Sequence, residues 1–299
     1  MQQLDIFNDS RDQQLRNDLI AAVAACDLAA AQHAYQALAA EYPNDAALAP
    51  AADLMTALAS ATDEAFANLA QALAAGAQLH GVLASDAVEL LGREGSIGWL
   101  RAQWRQIAKR AAELPFDARQ PEGHAAALWL QGAAWTQASD AVERIDSWRR
   151  IPQPLAWMLL ARCQRAGVEK AWPLLAELCW LAPERAGQLL LTLPDARLRK
   201  QLQRFDVDCD EADTQLPSPG DGAARWAWLP AWLLVDQPLL AEPLAGAQPT
   251  RHDAPERALL LVQSLLRLER QGRHADVVAH RRELLGLSAW LFSIYMKTR

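Results

Sequence analysis

The chain has 299 residues, of which 52% are hydrophobic and 22% are charged, so it can bury one large core or two smaller ones and is too apolar for wholesale disorder. Its formal net charge of −7 argues against a protein that coats nucleic acid. Ala, Leu, Gln, Glu and Arg, which favour helices, are abundant, whereas Val, Ile, Thr, Tyr and Phe are sparse. The composition therefore predicts an all-α fold.

Residues 1–9 are predicted to form an N-terminal interaction tail, because a chain terminus can stay extended and accessible to a partner. This tail contains Gln3, Leu4, Asp5, Ile6 and Phe7 in succession. The pentapeptide resembles the bacterial sliding-clamp binding motif, in which a glutamine contacts the rim of a pocket and apolar residues fill the pocket. The resemblance implies that the sliding clamp is a partner and that the protein acts in DNA replication or DNA repair.

The resemblance also assigns a role to each side chain of the pentapeptide. Gln3 would be the polar contact, and Leu4, Ile6 and Phe7 would be the apolar anchors, with Ile6 in place of the commoner leucine. A second interpretation is that the three apolar residues cover the open end of the first helical hairpin, as terminal residues of helical-repeat proteins do. The sequence leaves both interpretations open.

Residues 10–205 are predicted to form a helical-repeat domain that begins with a hairpin of two helices. Ser10 and Gln13 match a capping box, which predicts that the first helix starts there. Asp27 is placed to start the second helix, which ends before Pro43.

This second helix resembles the second helix of a tetratricopeptide repeat. The small, aromatic, apolar and proline positions of the repeat correspond to Ala31, Tyr35, Leu38 and Pro43. The first helix lacks the tryptophan, glycine and tyrosine that the repeat carries. The resemblance therefore implies a helical hairpin and not a strict repeat.

Further helices are predicted at short intervals, with no strand-like alternation between them. Neighbouring helices are expected to stack as antiparallel hairpins, which gives a TPR-like α-solenoid or an irregular helical array. Thr62 is predicted to cap one helix, and Pro183 and Asp195 are each predicted to begin one. The predicted helices after the first hairpin are 54–61, 63–75, 86–91, 96–114, 123–135, 139–148, 154–165, 169–181, 183–194 and 195–204.

Residues 206–222 are predicted to be a linker, because acidic residues, Pro and Gly interrupt the helical pattern there. Residues 223–299 are predicted to form a C-terminal helical subdomain. Its early part, 236–255, is rich in Pro and should be mostly loop. The predicted closing helices are 256–271, 274–285 and 288–296.

Three tryptophans open this subdomain and are candidates for an aromatic anchor on a partner protein or a nucleobase. They are Trp226, Trp228 and Trp232. The alternative is that they pack the C-terminal helices together.

Two groups of basic residues are candidates for phosphate binding, because each group lies within a single predicted helix. The alternative is that each group forms the solvated face of an amphipathic helix. The first group is Arg101, Arg105 and Lys109, and the second is Arg197, Arg199 and Lys200.

No motif for a catalytic, cofactor-binding or metal site is found, and no cysteine pair has metal-ligand spacing. We therefore expect no enzymatic activity, no cofactor and no metal. The absence of a signal-like region and of a long apolar run predicts a cytoplasmic protein without a membrane partner. The four cysteines, Cys26, Cys163, Cys179 and Cys209, are expected to be reduced.

The sequence thus predicts a non-enzymatic bacterial scaffold or adaptor for protein–protein interaction, tethered to the sliding clamp by its N-terminal tail. Two alternatives remain. One is a nucleic-acid-binding protein that uses its basic helix faces. The other is a structural subunit of a larger complex, which would expose a broad apolar patch near the three tryptophans.

Overall fold

The computed structural model describes residues 6–212, 222–249 and 251–299, and for residues 6–10, 211–212 and 222–223 it describes the backbone alone. Within these ranges every regular element is a helix and no strand is present, which confirms the all-α prediction. The chain divides into two compact units, Met1–Ala141 and Val142–Arg299.

The first unit is built from helices joined by short turns. A π-helical turn, Leu79–Leu83, connects α4 to α5, and a 3-10 turn, Pro121–Gly123, precedes α6. The helices are α1 (Ile6–Ala24), α2 (Leu28–Glu41), α3 (Leu48–Ala59), α4 (Leu69–Gln78), α5 (Ala84–Arg110), α6 (Ala125–Gln131) and α7 (Trp135–Glu143), and the boundary between the units falls inside α7.

The predicted first hairpin is present as α1 and α2, which pack against each other. Asp27 caps α2 as predicted, since its side chain accepts a hydrogen bond of 3.0 Å from the amide of Ala30. α1 begins at Ile6, four residues before the predicted start at Ser10, so Ser10 lies inside the helix. The helix thus includes the last part of the predicted tail.

The core of the first unit brings together helices that are distant in the sequence. Leu19, Leu38 and Leu54, from α1, α2 and α3, are fully buried, and Trp99 of α5 is 1% exposed in the same cluster. α5 packs against both α1 and α3. Contacts therefore extend beyond sequence neighbours, and the solenoid arrangement remains a prediction.

α5 is interrupted at Gly92, where the backbone has φ +71° and ψ 172°. A side chain at that φ would be strained, which explains the glycine. The structure thus agrees with the prediction of two successive helices in this region.

The predicted start at Thr62 is wrong, because α4 is capped by Asn68 and not by Thr62.

The second unit contains the remaining helices, of which four begin as predicted, one of them at His274. Pro183 occupies the first turn of α10, and the side chains of Asp195 and Ser288 accept hydrogen bonds from the first turns of α11 and α16. The helices are α8 (Pro152–Ala166), α9 (Trp172–Leu181), α10 (Pro183–Thr192), α11 (Ala196–Ala212), α12 (Leu229–Asp236), α13 (Ala241–Leu244), α14 (Ala254–Arg270), α15 (His274–Leu287) and α16 (Ala289–Lys297).

The predicted linker and the predicted C-terminal subdomain both differ from the structure. α11 continues through residues 206–212, while residues 213–221 of the predicted linker lie outside the described residues. The helix continues because Leu198, Leu202, Phe205 and Cys209 form an apolar stripe at helical spacing, and all four are buried. α12 packs against α9, α14 and α16, so residues 223–299 share one unit with the helices before them.

Candidate functional site

The N-terminal pentapeptide lies at the edge of the described structure. Gln3, Leu4 and Asp5 are outside the described residues, and Ile6 and Phe7 are the first two residues of α1. The first described buried side chain of α1 is Leu15, which is 5% exposed.

The tryptophan group near residue 230 is part of the core of the second unit. Trp226 is 8% exposed and Trp232 is fully buried, so neither ring is available as an aromatic anchor. Trp228 is half-buried, and its ring centroid lies 6.4 Å from that of Trp290. The hypothesis of an aromatic anchor is therefore wrong for Trp226 and Trp232, which pack the C-terminal helices together. The broad apolar patch expected of a structural subunit is not exposed at this position.

Phe205 of α11 lies at the centre of this aromatic cluster. Its ring centroid lies 5.8 Å from Trp226, 5.4 Å from Trp232 and 6.2 Å from Trp290. The Trp232 and Trp290 pairs are edge-to-face, and such pairs each stabilise a fold by about 0.5–1.5 kcal/mol beyond the area that they bury. The cluster therefore fixes α11 against α12 and α16.

The first basic group lies on the exposed side of α5. The side chain of Arg105 donates a hydrogen bond of 2.8 Å to the carbonyl oxygen of Gly132, which fixes the guanidinium at the turn between α6 and α7. Arg105 and Lys109 line an open groove of about 520 Å³ together with two half-buried tryptophans, Trp129 and Trp135. Arg101 is exposed and does not line this groove.

The second basic group is divided by the geometry of α11. All three residues are exposed; Arg197 and Lys200 line a cavity of about 370 Å³, and Arg199 does not. Three segments of the second unit form the cavity walls: the 3-10 turn Val168–Lys170 with the start of α9, the first half of α11, and Gln237 with the turn Pro238–Leu240 that follows it.

Two buried polar residues of this cavity were missed by sequence reasoning. Trp172 is 4% exposed, and its indole N–H has no hydrogen-bond partner. Gln201 is 8% exposed and lies one turn after Arg197 on α11. Gln201 follows Arg197 by four residues, so helical spacing could have predicted that the two share one face of α11. Nothing in the sequence predicts that Trp172 lies beside them.

The remaining charges of the cavity are mostly paired. Arg204 and Asp236 form an ion pair with a distance of 2.6 Å between the guanidinium and the carboxylate. The side chain of Asp195 accepts hydrogen bonds of 2.8 Å from the amides of Arg197 and Leu198. Among the lining charges that the structure describes, this leaves Arg197, Lys200 and Glu169 without an ion pair.

The cysteines are in surroundings that keep their thiols protonated. Burial raises the pKa of Cys163 and of Cys209 to about 12, and it also raises the pKa of Cys179 and Cys26. The thiolate is the nucleophilic form, so none of these groups is activated near neutral pH.

Across the ranges that the structure describes, no three His, Cys, Asp or Glu side chains converge as metal ligands. No helix in those ranges has both the length and the apolar character needed to cross a bilayer.

Comparison of the chain with protein-family models, with curated proteins and with solved structures gave no match.

Proposed function

We propose that this chain is an adaptor that the bacterial sliding clamp recruits through Gln3, Leu4, Asp5, Ile6 and Phe7. The observation that carries the proposal is the pentapeptide itself, placed ahead of the described core.

The apolar anchors supply only part of the binding free energy that micromolar affinity requires. Burying a Leu, Ile or Phe side chain fully is worth about 1.5–3 kcal/mol each. Three anchors therefore contribute roughly 5–9 kcal/mol before the cost of association is subtracted. Micromolar affinity corresponds to about 8 kcal/mol, so once the cost of association is subtracted the three anchors fall short of it, and contacts of Gln3 and of the backbone have to supply the rest.

Binding of the motif in extended form requires the first turn of α1 to unwind at Ile6 and Phe7. The cost is small, because the first four N–H groups of a helix have no intrahelical acceptor and helix ends fray. Anchors buried in the clamp would offset this cost.

The proposal is tested by surface plasmon resonance of the full chain on immobilised sliding clamp. We expect micromolar binding, with at least a tenfold loss for the Gln3→Ala/Phe7→Ala double variant. The matched control is Gln2→Ala/Asn8→Ala, which changes two polar residues on either side of the motif and should bind like the wild type. Circular dichroism checks that all three proteins are folded.

Two results would contradict the proposal. One is the absence of binding at concentrations well above micromolar. The other is equal binding by the two double variants, which would show that Gln3 and Phe7 make no contact with the clamp.

A second function, binding of single-stranded nucleic acid, is favoured by the groove of the first unit. Arg105 and Lys109 offer cations, and Trp129 and Trp135 offer ring faces beside them. Basic grooves with interleaved aromatic rings bind single strands by phosphate contacts and base stacking. This combination supports the function in spite of the net charge of −7.

The test is fluorescence anisotropy of a short labelled oligo-dT strand with the full chain. With one phosphate on each of the two cations, binding in the groove should weaken about sevenfold between about 50 and 200 mM salt. Lys109→Gln should weaken it further, whereas Arg93→Gln, an exposed change elsewhere on α5, should not. Equal effects of the two substitutions would exclude the groove as the binding site.

A further inference from the structure

An open pocket of about 290 Å³ lies between α4, α5 and α6 in the first unit. Its volume is near the lower end of the range of about 300–1,000 Å³ that is usual for ligand pockets. Leu73, Ala127 and Leu128 provide apolar wall, and three polar side chains interrupt it. This pattern of apolar wall with a few polar groups is typical of binding sites for small organic molecules.

Two close approaches of α4 to its neighbours shape this pocket. A Cβ atom on Gly76 would lie 3.1 Å from the six-membered ring of Trp104, so the glycine lets the indole lie against α4. A Cβ atom on Gly123 would lie 3.1 Å from the carbonyl oxygen of Leu69, so the 3-10 turn that carries Glu122 also lies close to α4. A half-buried indole and a carboxylate thereby line the same pocket.

His80 lines the pocket from the π-helical turn Leu79–Leu83, which directly follows α4. Such turns are rare, and they are frequently found at functional sites. Within this turn the backbone leaves helical geometry at Gly81, with φ −85° and ψ −109°. The pocket and the irregular turn are separate observations, and both point to the same part of the first unit.

The charge of the lining favours a cation. Glu122 is the one carboxylate among the described lining residues, and none of those residues is Arg or Lys. Glu122 is exposed and forms no ion pair with any residue that the structure describes. Trp104 adds an indole ring, and indoles attract cations more strongly than other aromatic side chains do. The carboxylate and the indole thus favour the same sign of charge in a ligand.

We propose that this pocket binds a small organic ammonium ion, with its charged group beside Glu122 and Trp104. The apolar body of the ligand packs against Leu73 and Leu128, and the carboxamide oxygen of Gln131 offers a further acceptor. The site is independent of both proposed functions, because the pocket shares no lining residue with the N-terminal motif or with the basic groove of the first unit.

The test is isothermal titration calorimetry of the full chain with three probes of similar size that share a phenyl ring. Phenylethylammonium is the cation, phenylethanol is its neutral counterpart, and phenylpropionate is the anion. The titrations are run at about pH 8, where imidazole groups are neutral and primary ammonium groups remain charged. We expect millimolar or tighter binding of phenylethylammonium, binding of phenylethanol that is weaker by at least about fivefold, and still weaker binding of phenylpropionate.

Two pairs of variants locate the binding. Glu122→Gln removes the lining carboxylate and should abolish the preference for phenylethylammonium over phenylethanol. Glu113→Gln, at an exposed carboxylate outside the pocket, should keep that preference. Ala77→Phe places a ring in the pocket and should weaken both probes at least tenfold. Its matched control is Ala74→Phe, because Ala74 is also exposed on α4 and does not line the pocket. Circular dichroism checks that all four variants are folded.

Four outcomes would overturn the proposal. Failure of phenylethylammonium to bind at millimolar concentration would exclude the site. Equal affinities for phenylethylammonium and phenylethanol would show that the pocket does not select a positive charge. Equal effects of Glu122→Gln and Glu113→Gln would show that the cation responds only to the negative net charge of the chain. Equal effects of Ala77→Phe and Ala74→Phe would place the binding outside this pocket.

Discussion

Asp208 accepts hydrogen bonds from two buried indoles, those of Trp232 and Trp290. Its carboxylate accepts a hydrogen bond of 2.7 Å from the indole N–H of Trp232, and its backbone carbonyl accepts one of 2.8 Å from Trp290. Trp232 is fully buried, so its N–H has no access to water. The predicted linker therefore contains a residue on which the aromatic cluster of the second unit depends.

Asp208→Ala should destabilise the protein by about 2 kcal/mol, because it leaves the N–H of Trp232 buried without an acceptor. Asp210→Ala, two residues further along α11, is the matched control. The Asp210 side chain is 76% exposed and lies 4.0 Å from Arg225, so its loss should change stability by less than about 0.5 kcal/mol. Urea unfolding followed by tryptophan fluorescence measures both. Equal effects of the two substitutions would contradict this role of Asp208.

Asp45 links α1 to the turn before α3 through a charged hydrogen bond. The Arg16 guanidinium lies 2.6 Å from its carboxylate, whose side chain is 4% exposed, and Asp45 also accepts from the amide of Ala47. Arg16, first through its hydrogen bond, lowers the pKa of Asp45 below the usual carboxyl value. A carboxyl with a lowered pKa in the folded state stabilises the fold above its unfolded pKa, and this stabilisation is lost as the pH falls.

Asp45→Asn should therefore destabilise the protein near pH 7 and have a smaller effect at acid pH. Asparagine can still accept from the amide of Ala47, so the substitution isolates the charge. The difference in unfolding free energy between wild type and variant should shrink as the pH falls from about 5 through the unfolded value near 3.9 and below. Urea unfolding at several pH values measures it. A difference independent of pH would mean that the charge of Asp45 does not stabilise the fold.

At the scale of elements, the contact between α10 and the 3-10 segment Gly222–Trp228 depends on a residue without a side chain. A Cβ atom placed on Gly187 would lie 2.4 Å from the indole nitrogen of Trp226. Real Cβ atoms do not approach other atoms so closely, and Trp226 is held in the core by Phe205. Glycine at this position thus permits a close approach and does not serve a turn.

Gly187→Ala should destabilise the protein by about 1–3 kcal/mol, because Trp226 must move from its place in the core. Gly286→Ala in α15 is the matched control, since a Cβ at Gly286 meets nothing within 4 Å. That substitution should raise stability by up to about 1 kcal/mol through helix propensity alone. Thermal unfolding of the two variants compares them. A stabilising effect of Gly187→Ala would contradict the packing described for Trp226.

The starts of several helices were predictable because they depend on residues within one turn. Asp27, Pro183, Asp195 and Ser288 each begin a helix in the structure as their sequence context predicted. The end of α11 was missed because acidic residues dominate the composition of 206–212, while the apolar stripe that continues the helix is carried by Phe205 and Cys209. The acidic composition of 206–212 thus predicted a linker, whereas the helical spacing of the apolar residues would have predicted that α11 continues.

At the scale of the whole molecule, the helical class followed from composition, but the division into units did not. The boundary predicted after residue 205 was based on Pro, Gly and acidic residues. The chain in fact divides into its two units between residues 141 and 142, inside α7. The cavity of the second unit was also beyond prediction. Its wall combines Trp172, Gln201 and Gln237, and their proximity depends on how α9, α11 and α12 pack.

We propose that the N-terminal tail recruits this chain to the sliding clamp, and a competition experiment tests this proposal most directly. The full chain is bound to immobilised clamp, and a synthetic peptide of residues 1–10 is added in increasing amounts. We predict that the peptide displaces the chain with a micromolar midpoint, and that the same peptide with Gln3→Ala and Phe7→Ala does not. Retention of the chain at saturating peptide, or equal displacement by both peptides, would contradict the claim.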